Sequence, residues 1–160
     1  MNQRIEIQRP AFDLIGISAR TTNAAEAGPD GLIPKLWETY FQSPILSQIK
    51  SNNSKLLYAL YTDYESDASG AYTLLLGHEK GDGAMLPVGL SEAHVPAAKY
   101  MLFTTQSGPF HEVVPAAWKE IWTFFQTSEI TRTYTGDFEL YRTAQFDPNH
   151  AVVEIYIAVH

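Results

Sequence analysis

The sequence predicts an α+β fold: a duplicated β-α-β-β unit whose halves share one antiparallel sheet, with two helices on one face and a ligand groove between the halves. Three observations carry that expectation. Apolar residues recur at helical spacing twice, first in Ile33, Leu36, Trp37, Tyr40 and Phe41, then in Val114, Ala117, Trp118, Ile121, Trp122 and Phe125. Around these stripes lie short aliphatic and aromatic runs bounded by turn formers, which read as strands. The halves also echo one another, Ile33-Pro34-Lys35-Leu36-Trp37 against Val114-Pro115-Ala116-Ala117-Trp118 at an offset of 81, and Tyr58-Ala59-Leu60-Tyr61 against Phe138-Glu139-Leu140-Tyr141 at an offset of 80.

Taken in order, Ile5, Ile7, Phe12, Leu14, Ile15 and Ile17 predict an opening strand or two interrupted by Pro10, which a central strand tolerates poorly. Residues 21–30 are polar and read as loop. The first helix follows from Leu32, with Pro34 in its first turn, where a missing N–H costs little. Pro44 and then Ser51-Asn52-Asn53-Ser54 end it. Residues 56–64 and 71–76 form strands joined by a turn-rich loop. Gly81-Asp82-Gly83 is a turn, and the segment up to Pro96 reads as an irregular crossing. Residues 99–105 resume as strand until Gly108-Pro109 breaks them, and the second helix follows. Residues 128–136 connect it to a closing hairpin. A single domain spanning 1–160 results, with pseudo-repeats of about 1–80 and 81–160.

That hairpin carries the chemistry. In Asp137-Phe138-Glu139-Leu140-Tyr141 the period-2 rule sends Asp137, Glu139 and Tyr141 to one face; in residues 152–159 it groups Val152, Glu154, Tyr156 and Ala158. Between the strands, Gln145-Phe146-Asp147-Pro148-Asn149-His150 supplies turn residues. Carried along without gaps, the repeat pairs Ala59 with Glu139 and Leu74 with Glu154, so the second half holds acids where the first is apolar. On the sheet face away from the helices, a groove at the junction of the halves would have Glu139 and Glu154 as its acidic floor.

Composition narrows the classes. The 160 residues include 11 Lys and Arg against 18 Asp and Glu, a formal net charge of −7, which disfavours a phosphate-binding surface and suits a cationic or neutral partner. Cysteine is absent, so disulfides and thiolate chemistry are excluded. No apolar run reaches membrane-spanning length, and a cytoplasmic location is the default. The five histidines show no ligand spacing, so neither a metal nor a cofactor is expected. No serine sits in a nucleophile-elbow motif.

The ordered set Ile33-Pro34-x-Leu36-Trp37, Tyr61-x-x-Tyr64, Ala71-Tyr72-Thr73 leading to Gly77, Tyr100 before Phe103, Gly108, Ala117-Trp118, Asp137-Phe138-Glu139-x-Tyr141 and Val153-Glu154-Ile155-Tyr156-Ile157 resembles the GyrI-like, or AraC-type effector-binding, domain family. It covers nearly the whole chain. The resemblance implies a central groove for small, often lipophilic and cationic molecules, with a buried glutamate near the end of the domain meeting the positive charge. Glu154 matches that position first and Glu139 second, and the choice between them stays open. Members that regulate transcription carry a DNA-binding segment ahead of the domain; this chain begins with the domain, which implies a stand-alone effector-binding or sequestering protein, linked to transcription regulation or drug resistance, without direct nucleic-acid contact.

A glutamate under aromatic cover resists ionisation until a cation arrives, and tyrosine and tryptophan faces add cation-π attraction. The expected ligand-binding residues are therefore Glu154, Glu139, Tyr156, Tyr141, Trp37, Tyr40, Tyr72 and Trp118. Two other readings accompany this one. Some members of the resembled family hydrolyse strained cyclopropane-containing natural products, for which Glu154, Glu139 and Tyr141 would be the catalytic set. Others inhibit a DNA topoisomerase, which makes an acidic interaction module the third reading; a protein partner or a homodimer stays open with it.

Overall fold

The computed structural model describes residues 4–43, 49–51, 53, 55–143 and 146–160. Pro44, Asn52, Ser54 and Gln145 of the predicted connections lie outside them. Eight strands form one antiparallel sheet: β1 (Arg4–Arg9), β2 (Phe12–Thr22), β3 (Leu56–Thr62), β4 (Ala71–Glu79), β5 (Ser91–Val95), β6 (Ala98–Thr104), β7 (Asp137–Arg142) and β8 (Glu154–Val159). Three helices are described, α1 (Asn23–Glu26), α2 (Ile33–Gln42) and α3 (Phe110–Thr127).

The sheet order is β1-β6-β8-β7-β3-β4-β2-β5. Exchanging β1 with β5, β2 with β6, β3 with β7 and β4 with β8 reverses this order, so it reads the same from either edge. The duplicated unit is thus one strand longer than predicted, and its first strand is exchanged: β1 pairs with β6 of the second half, and β5 with β2 of the first. The segment before Pro96 was expected to be an irregular crossing, yet it contains β5. A short, largely polar run with one buried residue, Val95, pairs at an edge without showing the alternation of a core strand. Residues 21–30, expected to be loop, instead finish β2 and form α1, whose N-cap Thr22 accepts a hydrogen bond from the Ala25 N–H.

Both sheet faces are buried. Helices α2 and α3 cover one, packing Leu36, Tyr40, Val114, Ala117 and Ile121 onto Leu74, Leu76, Ile155 and Ile157. The other face closes by curling. Phe12 of β2 meets Phe138 of β7 at 5.5 Å between ring centroids, although β3 and β4 lie between those strands. Three strand spacings on a flat sheet would hold the backbones about 14 Å apart. The two-residue link Pro10-Ala11 joins strands near opposite edges, and Arg9 lays its guanidinium over Phe12, Phe138 and Tyr156 at 5.1–5.6 Å.

Closeness within the sheet is set by glycine at one point. Gly16 and Gly77 are cross-strand partners, and a Cβ on Gly16 would overlap the Leu76 carbonyl oxygen.

Candidate functional site

A cavity of about 680 Å³ opens between α2 and α3 over the central strands β3 and β7. It lies on the helix-covered face, not on the face away from the helices. The groove is nonetheless between the halves, because each contributes one helix and one central strand.

Helix spacing builds two of its walls. Trp37 sits one position after buried Leu36 on α2, at the edge of that stripe, and Trp118 and Trp122 project from α3 one turn apart. All three tryptophans of the chain line the cavity. The floor comes from strands: Tyr61 of β3, Tyr72 of β4, and Glu139 and Tyr141 of β7, with Tyr64 just beyond β3. Ring contacts tie wall to floor, Trp37 to Tyr141 at 5.1 Å and Trp118 to Tyr61 at 5.1 Å.

Glu139 is the centre of this arrangement, with 1% of its surface exposed. Tyr141 Oη donates to Oε1 at 2.6 Å, while Tyr61 Oη and Trp118 Nε1 both donate to Oε2 at 2.7 Å. These partners are all neutral, and among the described residues no cation is in salt-bridge contact with it. Burial pushes the Glu139 pKa up from the ordinary carboxylate value, and the bonds from Tyr141, Tyr61 and Trp118 offset part of that rise. Burial and the neighbouring Glu139 charge hold the Tyr61 and Tyr141 hydroxyls well above the ordinary phenol value, so they remain donors.

A second acidic group on the same strand is treated differently. Asp137 Oδ2 accepts from Arg132 Nη2 at 2.7 Å and from Tyr64 Oη at 2.6 Å, and Oδ1 accepts from the Ala158 N–H at 2.8 Å. Arg132, whose guanidinium also lies over Tyr134 at 4.4 Å, therefore cancels Asp137, whereas Glu139 on the same strand has only neutral partners among the described residues. Glu26 lines the far wall and supplies the cap that Leu32 lacks, accepting from the Leu32 and Ile33 N–H groups at 2.8 and 3.0 Å and from the Thr21 hydroxyl. Among the described residues no three His, Cys, Asp or Glu side chains group as metal ligands.

Of the expected site residues, the cavity brings together Glu139, Tyr141, Trp37, Tyr72 and Trp118. Three are elsewhere. Glu154 and Tyr156 lie on the opposite sheet face, because β7 and β8 pair Glu139 with Ile155 and Leu140 with Glu154, which puts the two acids on different sides. There Glu154 is partly exposed, with Arg142 Nη2 and Tyr156 Oη each 3.3 Å away. Tyr40 sits behind the wall, its hydroxyl on His78 Nε2 at 2.9 Å, and borders a smaller recess of about 180 Å³ with Phe41, Leu57 and Tyr141. Tyr61, Tyr64, Glu26, Asn23 and Arg132 were not anticipated. Tyr61 had a signal: it is two residues from Ala59 on one strand face, and Ala59 is the cross-strand partner of Glu139.

The curled eight-stranded sheet with an acid-floored aromatic cavity under two helices defines the class: a GyrI-like effector-binding fold. Residues 4–159 match the family described as Cass2, integron-associated effector binding protein, and the chain belongs to that family. A Bacillus subtilis (strain 168) relative named "Putative transcriptional regulator protein YobU" is 38% identical over 147 residues, 90% of this chain and 89% of its own. Among solved structures, an integron cassette protein from the mobile metagenome of Vibrio cholerae is 30% identical, covers 99% of this chain and 97% of its own, and superposes with a TM-score of 0.80. The SAV2435 protein, solved bound to tetraphenylphosphonium, shares the fold at a TM-score of 0.77 and 18% identity, over 99% of this chain and 94% of its own. Among the described residues no helix is long and apolar enough to cross a membrane.

Proposed function

We propose that this effector-binding chain takes lipophilic, aromatic cations into the cavity between α2 and α3, with Glu139 as the counter-charge. The observation that carries the reading is a fully buried carboxylate held by three neutral donors on the floor of an aromatic cavity. Burying an ion without a partner is costly, and a bound cation offsets that cost. Tryptophan and tyrosine surface on the walls adds roughly 0.5–2 kcal/mol per cation-π contact. The volume lies within the range of small-molecule sites. That a protein of the same fold was solved with tetraphenylphosphonium supports the choice of probe.

The test is a tryptophan-fluorescence titration with tetraphenylphosphonium, which reads the cavity directly because every tryptophan lines it. Saturable quenching that weakens in Glu139→Gln and persists in Glu154→Gln supports the reading. Equal responses in all three proteins would overturn Glu139 as the anchor. A cyclopropane-containing electrophile, incubated with the protein in parallel and recovered with the mass of one added water, would make the chain a hydrolase instead.

A further inference from the structure

Glu139 meets a ligand with most of its hydrogen-bonding capacity already committed. A carboxylate offers about four lone-pair sites. Tyr61 and Trp118 fill Oε2, and Tyr141 takes one site on Oε1. Glu26, the other carboxylate on the wall, is engaged by the Leu32 N–H and the Thr21 hydroxyl on Oε2 and by the Ile33 N–H on Oε1. The remaining floor tyrosines donate to protein groups, Tyr64 to Asp137 and Tyr72 to Asn23 Oδ1, which leaves their neutral phenol oxygens as weaker acceptors. The cavity therefore presents a buried acid and aromatic surface, with few charged acceptor sites free. A primary ammonium brings three N–H donors that water satisfies fully; a quaternary ammonium or a phosphonium brings none.

Resting on Glu139 as the cation anchor, we propose that the cavity selects permanent cations without N–H donors over protonated amines of the same skeleton. The carboxylate supplies charge but, with three of its roughly four acceptor sites taken, only a fraction of the hydrogen bonds that a desolvated primary ammonium needs. Each donor left without a partner weakens binding by roughly tenfold. The three donors to Glu139 are then specificity-determining: they orient the anchor and also occupy the sites an amine would use.

Calorimetric titration at pH 7.5 with biphenyl-4-ylmethylammonium and its N,N,N-trimethyl counterpart tests this on the wild type, Tyr141→Phe and Tyr61→Phe. The added methyl groups favour the quaternary probe in any apolar cavity, so the decisive quantity is the affinity ratio between the probes and how it changes on substitution. The wild type should prefer the quaternary probe, and Tyr141→Phe, by vacating a site on Oε1, should reduce that preference roughly tenfold. Tyr61→Phe vacates a site on Oε2 and gives an independent reading should the first variant not fold. A ratio unchanged within about twofold in the folded variants, or a wild type that binds the primary ammonium as tightly, overturns the selectivity while leaving the cation anchor in place. Absence of saturable binding by either probe overturns both.

Discussion

Replacing Glu139 by Gln should separate binding from stability, moving them in opposite directions. A phosphonium centre kept about 6 Å from the carboxylate by its phenyl groups interacts with it by about 332/(20 × 6), or nearly 3 kcal/mol, at the effective dielectric suited to protein sites. Losing that term predicts roughly 100- to 200-fold weaker binding of tetraphenylphosphonium by fluorescence titration. The fold should tolerate the change. A Gln carbonyl oxygen can accept from Tyr61 and Trp118 in place of Oε2, and its amide can donate to Tyr141 Oη, which turns from donor to acceptor. Because the Glu139 pKa is raised on folding, the folded state holds its proton more tightly than the unfolded chain. Its ionisation therefore destabilises the empty protein as pH rises from about 4.5 through the folded pKa. At neutral pH, Glu139→Gln removes that penalty, and its thermal midpoint should equal or exceed the wild type's. Unchanged affinity within about threefold, or a midpoint lowered by more than about 3 °C, would refute the argument that an uncompensated charge sits there.

Cation affinity in the wild type should itself rise with pH through the raised Glu139 pKa and then level off, and titrations between pH 4 and 8 would show a flat profile if the anchor were another group. Arg132→Met strands Asp137 as a buried, unpaired charge and should cost about 3–5 kcal/mol in urea unfolding, with Asp137→Asn added in the double variant recovering part of it. His78 has its pKa lowered from 6.5, chiefly by burial and against a backbone hydrogen bond from its ring to the Leu56 carbonyl. It contributes stability above pH 6.5 that is lost as pH falls through its folded pKa, and His78→Gln should flatten that limb of the stability profile. Gly16→Ala forces a Cβ into the Leu76 carbonyl and should destabilise by well over about 2 kcal/mol, measured by thermal unfolding.

The helices and two of the tryptophans they bring to the cavity wall, Trp37 and Trp118, were legible because 3.6-residue periodicity is a local property. The repeat offset then put Trp37 and Trp118 in equivalent places. Face assignment within β7 was legible for the same reason, and Glu139 and Tyr141 do share a side. The relation between β7 and β8 was not. It depends on register, which the connection after β7 sets, and a slip of one residue moves every side chain to the other face; Glu154 looked equivalent to Glu139 and emerged beside Arg142 instead. Strand β1 was foreseen from Ile5 and Ile7 and β5 was not, and the pairing of each with the opposite half is a long-range choice that no local pattern records.

The three donors around Glu139 have a consequence for how long the protein lasts in a cell. They hold an acid whose ionisation costs the empty fold stability, so occupancy and stability are linked. A ligand at a hundred times its dissociation constant adds about 2.7 kcal/mol, enough to lower the unfolded fraction roughly a hundredfold. Proteases draw on that fraction. The steady-state amount of this protein would then follow the abundance of its ligand, making the chain a gauge whose reading is its own concentration.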